Sequence, residues 1–257
     1  MKGKVIEMLH NLMLPFSNKN KLPIYEELSG EGKYFLDQAK QYQELMMMYN
    51  CAMKEVRTKL EILNDELSVS NERNPIEFIS SRIKKPMSVA SKLQKQGQAV
   101  TVEAVEKYVH DVAGIRVICS FVDDIYTVAN MLIRQDDITL VKVKDYIKTP
   151  KENGYRSLHL IVEIPVFFSD MKKQMRVEVQ IRTIAMDFWA SLEHDLKYKK
   201  DVQNEDEIMR ELKSCADVIS QTDLKMLNIR NKIQLSQSQD FPTISQLQQK
   251  DFNNILN

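Results

Sequence analysis

Residues 34–67 contain neither glycine nor proline, and Met48, Ala52, Val56, Leu60, Leu63 and Leu67 recur along them at spacings of three and four. That period lines them up on one face and predicts a long amphipathic helix. Residues 71–75 end it with Asn71 and Pro75. A basic connector follows over 78–86, carrying Arg82, Lys84 and Lys85. Residues 88–96 read as a helix closed by Gly97, and Thr101 opens a shorter one running to about His110. At Gly114 the period drops to two. Ile115, Val117, Cys119 and Phe121 alternate with Arg116, Ile118 and Ser120, which predicts a strand. Asp123 and Asp124 open a helix through Arg134. Three further strands are predicted over 138–147, 156–168 and 175–182. Helices follow over 183–200, with Ile184, Phe188, Leu192 and Leu196 on one face, and over 204–232.

The order is helices, strand, helix, three strands, helices. Without a run of βα repeats a doubly wound sheet is excluded. The pattern predicts an α+β (mixed α/β) fold, in which a mixed sheet of about four or five strands is flanked by helices. Near the N-terminus an apolar run over residues 5–16 is interrupted by Glu7, His10 and Asn11. It is too short to span a bilayer and lacks a small-residue cleavage site. A short amphipathic helix that packs on the body or on a partner subunit is expected there. The stretch after Ile233 is rich in Gln, Ser and Asn and is expected to be loosely ordered.

Composition narrows the function classes only slightly. Lys+Arg and Asp+Glu each number 36 in 257 residues, so bulk charge gives no case for nucleic-acid binding. The three cysteines, Cys51, Cys119 and Cys215, have no metal or disulfide spacing, which fits a reducing compartment. The four histidines have no ligand spacing, which argues against zinc.

Candidate chemistry sits on the polar positions of the predicted strands. Arg116 lies opposite Ile115 and Val117; His159 and Glu163 alternate with Leu158, Leu160 and Val162; Arg176, Glu178 and Gln180 alternate with Val177, Val179 and Ile181. A sheet that is merely wet on one face would show the same pattern. Asp111 and Glu178 come from separate elements and suit a hard cation completed by phosphate oxygens, although Asp111 also reads as an ordinary turn residue. Arg82, Lys84, Lys85, Lys92 and Lys95, with Ser88 one turn before Lys92, suit a polyphosphate or a solvated charged face. No GxxxxGK loop occurs. Residues 146–159 are denser still. Asn153-Gly154 between β-type runs signals a hairpin. That turn does not require Lys148, Lys151, Tyr155 or His159, a set suited to a flat base and an anion.

Four blocks together resemble the (p)ppGpp synthetase domain of Rel/SpoT-type enzymes, most closely the stand-alone small alarmone synthetases. They are Arg82-Ile-Lys84 with Ser88 and Lys92; Asp111 through Arg116-Val; residues 146–159; and Glu178-Val-Gln-Ile-Arg-Thr183. Glu193-His-Asp-Leu-Lys-Tyr-Lys199 also fits. The resemblance covers roughly residues 40–200 and implies a nucleotidyltransferase-like synthetase domain over 41–200, an N-terminal extension over 1–40, and a C-terminal helix and tail over 201–257.

The resemblance also implies a reaction. ATP donates its β,γ-pyrophosphate to the 3′-hydroxyl of GDP or GTP, with Mg²⁺ as cofactor and AMP as the second product. Arg82 and Arg116 would sandwich the adenine; Lys84, Ser88 and Lys92 would hold the ATP phosphates. Asp111 and Glu178 would ligate the metal, with Glu178 also deprotonating the 3′-hydroxyl. Tyr155 would stack on guanine, with Lys151, Asn153, His159 and Gln180 completing the acceptor site and Lys144 reaching acceptor phosphates. The resemblance further implies a cytoplasmic protein without a membrane anchor and a homotetramer such as some relatives form; no metal-dependent hydrolase segment precedes the synthetase, so synthesis without hydrolysis is expected. Phe78 matches one position of a cleft that binds the (p)ppGpp product or single-stranded RNA in some relatives. Two departures stand out: Lys85 is an extra lysine before Pro86, and Asp187 stands where relatives often carry Asn. The competing readings are a non-catalytic nucleotide or RNA sensor on the same fold, and a nucleotidyltransferase that releases pyrophosphate.

Overall fold

The computed structural model describes residues 30–70, 73–197 and 204–237. The expectations for residues 5–16 and for the tail beyond Gln237 lie outside them. Helix α1 (Gly30–Ser70) realises the predicted stripe. Leu45, Tyr49, Ala52, Val56, Leu60 and Leu67 are buried along it, with Met48 and Leu63 at its half-buried margin.

Then come β1 (Ile76–Ile83), α2 (Pro86–Lys95), α3 (Val102–Tyr108), β2 (Ala113–Cys119) and α4 (Val122–Ile133). They are followed by β3 (Thr139–Asp145), β4 (Leu158–Phe167), β5 (Lys172–Thr183), α5 (Ile184–Lys197) and α6 (Glu205–Gln237). Among the described residues no helix is long and apolar enough to cross a membrane.

The five strands form one mixed sheet in the order β1-β2-β5-β4-β3. Only β2 and β5 run parallel; the other neighbours are antiparallel. The expected basic connector is therefore corrected: most of it is the edge strand β1, paired to β2 from Ile76↔Cys119 to Ile83↔Ala113. Its sequence hid this for a physical reason. An edge strand satisfies a partner on one side only, and a register shift between Ile76 and Phe78 breaks the alternation.

One sheet face carries Ile115, Val117, Leu158, Leu160, Val162, Val177, Val179 and Ile181, all nearly inaccessible. Helices α1 and α4 pack on strands of this sheet and join that apolar face in the core. Each fully buried aliphatic side chain contributes about 1.5–3 kcal/mol. The opposite face is read from the register, since partners across a ladder point the same way. Arg82, Gly114, Glu178, Ile161 and Lys142 form one row across all five strands. Ser80, Arg116, Gln180, His159 and Lys144 form the next. The sheet itself thus gathers residues far apart in sequence onto one polar face.

Candidate active site

The first half of the site is built where β1 ends and β2 begins. Lys84 leaves β1 with its N–H donated to the Val112 carbonyl at 2.8 Å. Pro86 then starts α2, a position where its missing N–H costs nothing. Lys85 is the exposed N-cap residue, so the extra lysine is absorbed at the junction. Buried Val89 and Leu93 fix which way α2 turns. Ser88 and Lys92 are one turn apart on it. Lys92 Nζ donates to Asp111 Oδ1 at 2.7 Å and Lys84 Nζ to Asp111 Oδ2 at 2.6 Å. Burial pushes the Asp111 pKa up, but the two lysine hydrogen bonds and their charges outweigh it and hold the carboxyl below its ordinary value.

The second half centres on Glu178. Gln180 Nε2 donates to Glu178 Oε2 at 2.8 Å, and His159 Nδ1 lies 3.3 Å from Glu178 Oε1. His159 Nε2 is 2.8 Å from the Tyr155 hydroxyl. Arg182, 2% exposed, donates to that hydroxyl at 3.2 Å and to Gln180 Oε1 at 2.8 Å. Arginine can only donate. The Tyr155 oxygen therefore accepts from Arg182, and in the His159 tautomer that donates Nδ1–H to the Glu178 carboxylate, Nε2 accepts the Tyr155 O–H. Burial raises the Glu178 pKa, yet the His159 and Gln180 bonds win and the carboxyl sits below its ordinary value. Both candidate carboxylates are thus held ionised near neutral pH.

The loop over 146–157 completes this half and corrects the simple hairpin expectation. β3 stops at Asp145 and β4 starts at Leu158, so Asn153-Gly154 is not a two-residue connection between strands. Instead the Gly154 N–H donates to the Lys151 carbonyl at 2.8 Å and the Lys151 N–H to the Tyr155 carbonyl at 3.2 Å. Gly154 takes the left-handed φ of +88°. This is a three-residue loop closed by an αL glycine. Asn153 Oδ1 accepts from the Tyr155 N–H at 3.2 Å, while its Nδ2 donates to Glu193 Oε1 at 3.0 Å. Tyr155 is half-buried rather than freely exposed. Its ring meets Tyr146 edge-on at 5.9 Å, and Lys151 Nζ stands 4.8 Å from the centroids of both tyrosines.

Asp187 links the two halves. Its Oδ1 lies 3.2 Å from Arg116 NH1 and 3.4 Å from Arg182 NH1. Neither contact has hydrogen-bond alignment, so the coupling is electrostatic.

The geometry can now be set beside known proteins. Residues 81–203 match the model of a region found in RelA / SpoT proteins. The chain is 44% identical over 188 residues to the GTP pyrophosphokinase YwaC of Bacillus subtilis, spanning 73% of this chain and 90% of that relative. The chain belongs to the RelA/SpoT family. The crystal structure of small alarmone synthetase 2 from Bacillus subtilis superposes with a TM-score of 0.67 at 44% identity, covering 74% of this chain and 98% of that one. Small alarmone synthetase 1 from the same organism, solved bound to its product pppGpp, gives 0.70 at 35% identity, covering 76% and 99%.

For a RelA/SpoT chain, the structure joins some expected site residues directly and places others by register. Lys84, Lys92 and Asp111 touch; so do Tyr155, His159, Gln180 and Glu178. Lys151 caps the Tyr155 ring. Arg82 is exposed on β1 beside Gly114, which leaves the row between Arg82 and Glu178 open. Lys144 is exposed opposite His159, and Ser88 is exposed on α2. Phe78 is 60% exposed opposite Ile118, on the same face as Arg116 but further along β1. Sequence reasoning gave no role to Arg182, Tyr146 or Arg156. Arg182 was within reach of the period-two series 176, 178, 180, 182. Arg156 was not, since its partners lie on α6.

The donor set suits a hard cation. Asp111 and Glu178 are both held below their ordinary values, and the Asp111 charge is felt at Glu178. Among the described residues no cluster of three or more protein ligands exists, so a hard cation held here would need phosphate oxygens and water to complete its coordination.

Proposed function

We propose that this RelA/SpoT chain is an ATP:GDP/GTP 3′-pyrophosphotransferase that makes ppGpp or pppGpp and releases AMP. The observation that carries it is the hydrogen-bonded line Arg182–Tyr155–His159–Glu178 beside the Lys84–Asp111–Lys92 cluster. The first line carries an aromatic ring and ends in the Glu178 carboxylate, and the second gathers two cations on the Asp111 carboxylate. That is what a guanosine acceptor and a polyphosphate donor require.

Lys84, Lys92 and Ser88 hold the ATP phosphates, and Arg82 and Arg116 clasp the adenine. Tyr155 stacks on guanine, with Lys151, Asn153, His159, Gln180 and Lys144 orienting the acceptor. Glu178 takes the 3′-hydroxyl proton as that oxygen bonds to the β-phosphorus. The bond from the β-phosphorus to the α,β-bridging oxygen breaks, and AMP leaves with that oxygen. Asp111 and Glu178 would hold Mg²⁺, which supplies charge neutralisation on the transferred group. His159 and Gln180 keep the Glu178 carboxylate aimed. We assign this chemistry to residues 41–200, with synthesis and no hydrolysis, in a cytoplasmic setting. Ile184, Phe188, Leu192 and Leu196, each 48–59% exposed along α5, support self-association to the homotetramer.

The test is a mixture of protein, Mg²⁺, ATP and GDP or GTP. AMP with a pyrophosphorylated guanosine nucleotide supports the reading. Release of inorganic pyrophosphate would favour another nucleotidyltransferase, and binding without turnover would favour a sensor.

A further inference from the structure

We propose that α6 is a positioning element of the acceptor site, and that Arg156 and Asp217 pin the loop so that Tyr155 faces the acceptor base. The inference rests on the acceptor reading of Tyr155 above, and it concerns a helix beyond the matched region, which ends at 203.

The loop lies directly on α6. A Cβ added at Gly154 would sit 2.6 Å from the Ala216 Cβ and 3.3 Å from the Lys213 Cα, so the backbone approaches α6 as closely as only glycine permits. Arg156 makes a three-way tie. Its NH1 donates to the Gly154 carbonyl at 3.0 Å and to the Ala216 carbonyl at 3.3 Å, and its NH2 donates to Asp217 Oδ1 at 3.0 Å. The cavity left between Gly154, Arg156, Trp189 and Ala216 is only about 10 Å³. Tyr155 stands between the two tied residues. With 154 and 156 held on α6, the Tyr155 hydroxyl meets His159 Nε2 and Arg182.

The same helix also fixes the end of β5. Thr183 Oγ1 donates to Asp223 Oδ2 at 2.6 Å, and both residues are buried. Trp189 Nε1 donates to the Leu212 carbonyl at 2.9 Å, which holds α5 against α6. One helix therefore sets the spacing between the aromatic platform and the strand that carries Glu178 and Gln180. Loosening α6 at the Arg156 tie would weaken acceptor binding and leave the donor half, on β1 and α2, intact, because the contacts of α6 toward Asp123 and Asp124 are made separately by Arg230.

The experiment measures KM for GDP and for ATP in Arg156→Ala, Asp217→Ala and the charge swap R156D/D217R, with Tyr155→Ala alongside. Loss of a charge-assisted tie is expected to raise the GDP KM about tenfold in Arg156→Ala, with the ATP KM unchanged. Half-exposed Asp217→Ala, which keeps the buried packing, is expected to give a smaller rise in the same direction, and the swap partial recovery. Trp189, the protein's single tryptophan, reports by its emission whether α6 has shifted. Equal rises in both KM values, or none in either α6 variant, would overturn the inference. If Tyr155→Ala leaves the GDP KM unchanged, the acceptor reading itself fails. If Tyr155→Ala raises it and the α6 variants do not, only the role of α6 fails.

Discussion

Lys84 Nζ lies 2.6 Å from Asp111 Oδ2, across the junction between the end of β1 and the start of β2. Lys92 takes the other oxygen, so one carboxylate holds both cations that the proposed function assigns to the donor phosphates. Each lysine reaches a phosphate only by loosening from Asp111. Lys84→Met is expected to lower kcat/KM for ATP by about a hundredfold. Steady-state kinetics check this, and a loss confined to the GDP KM would contradict the donor assignment.

Tyr155 serves by its ring and its hydroxyl separately. In the proposed function the ring is the platform, while the hydroxyl bridges Arg182 to His159. Tyr155→Ala is expected to raise the acceptor KM far more than the ATP KM. Tyr155→Phe keeps the ring and is expected to lower kcat with little change in acceptor KM. Identical kinetics for the two variants would remove the hydroxyl from the account.

The two carboxylates tie stability to acid pH. Asp111 is held below its ordinary 3.8 and Glu178 below its ordinary 4.5 in the fold. The folded protein therefore binds fewer protons than the unfolded chain in this window. Their stabilisation is complete above about pH 4.5 and is lost as pH falls through the folded values. Thermal melts from neutral pH downward are expected to fall more steeply below that point in the wild type than in Glu178→Gln. Parallel curves would contradict the charge-pair account.

The core prediction is independent of chemistry. Leu160 is fully buried on β4, between Val179 of β5 and Val143 of β3 in the ladder. Leu160→Ala is expected to cost about 2–5 kcal/mol, read by denaturant unfolding. A cost below about 1 kcal/mol would mean that the site collapses around the deletion.

Much of the fold was legible because the apolar period is clearest where a strand is paired on both sides. β2, β4 and β5 show clean alternation, and α1 shows a clean stripe. β1 was not legible, since Ser80, Ser81 and Arg82 break the pattern on an edge strand. On α5, Ile184, Phe188, Leu192 and Leu196 do share a face, yet that face is exposed rather than packed within the chain. Periodicity reports that a face is apolar, not what covers it. Within the site, single residues with distinctive chemistry were visible: Asp111, Glu178, His159 and Tyr155. Their connections were not, because Arg182 acts through hydrogen bonds to Tyr155 and Gln180 and Arg156 through a helix 60 residues away. Such ties depend on tertiary register, which local sequence does not encode.

In the proposed reaction Glu178 is the point where donor and acceptor meet, and γ-labelled ATP tests that meeting most directly. With GDP and Mg²⁺, label is expected on the 3′ position of the guanosine product, with AMP released in equal amount. Glu178→Gln, folded as judged by circular dichroism, is expected to lose about a hundredfold or more in kcat. Label in free phosphate or pyrophosphate, or full turnover by Glu178→Gln, would contradict the account.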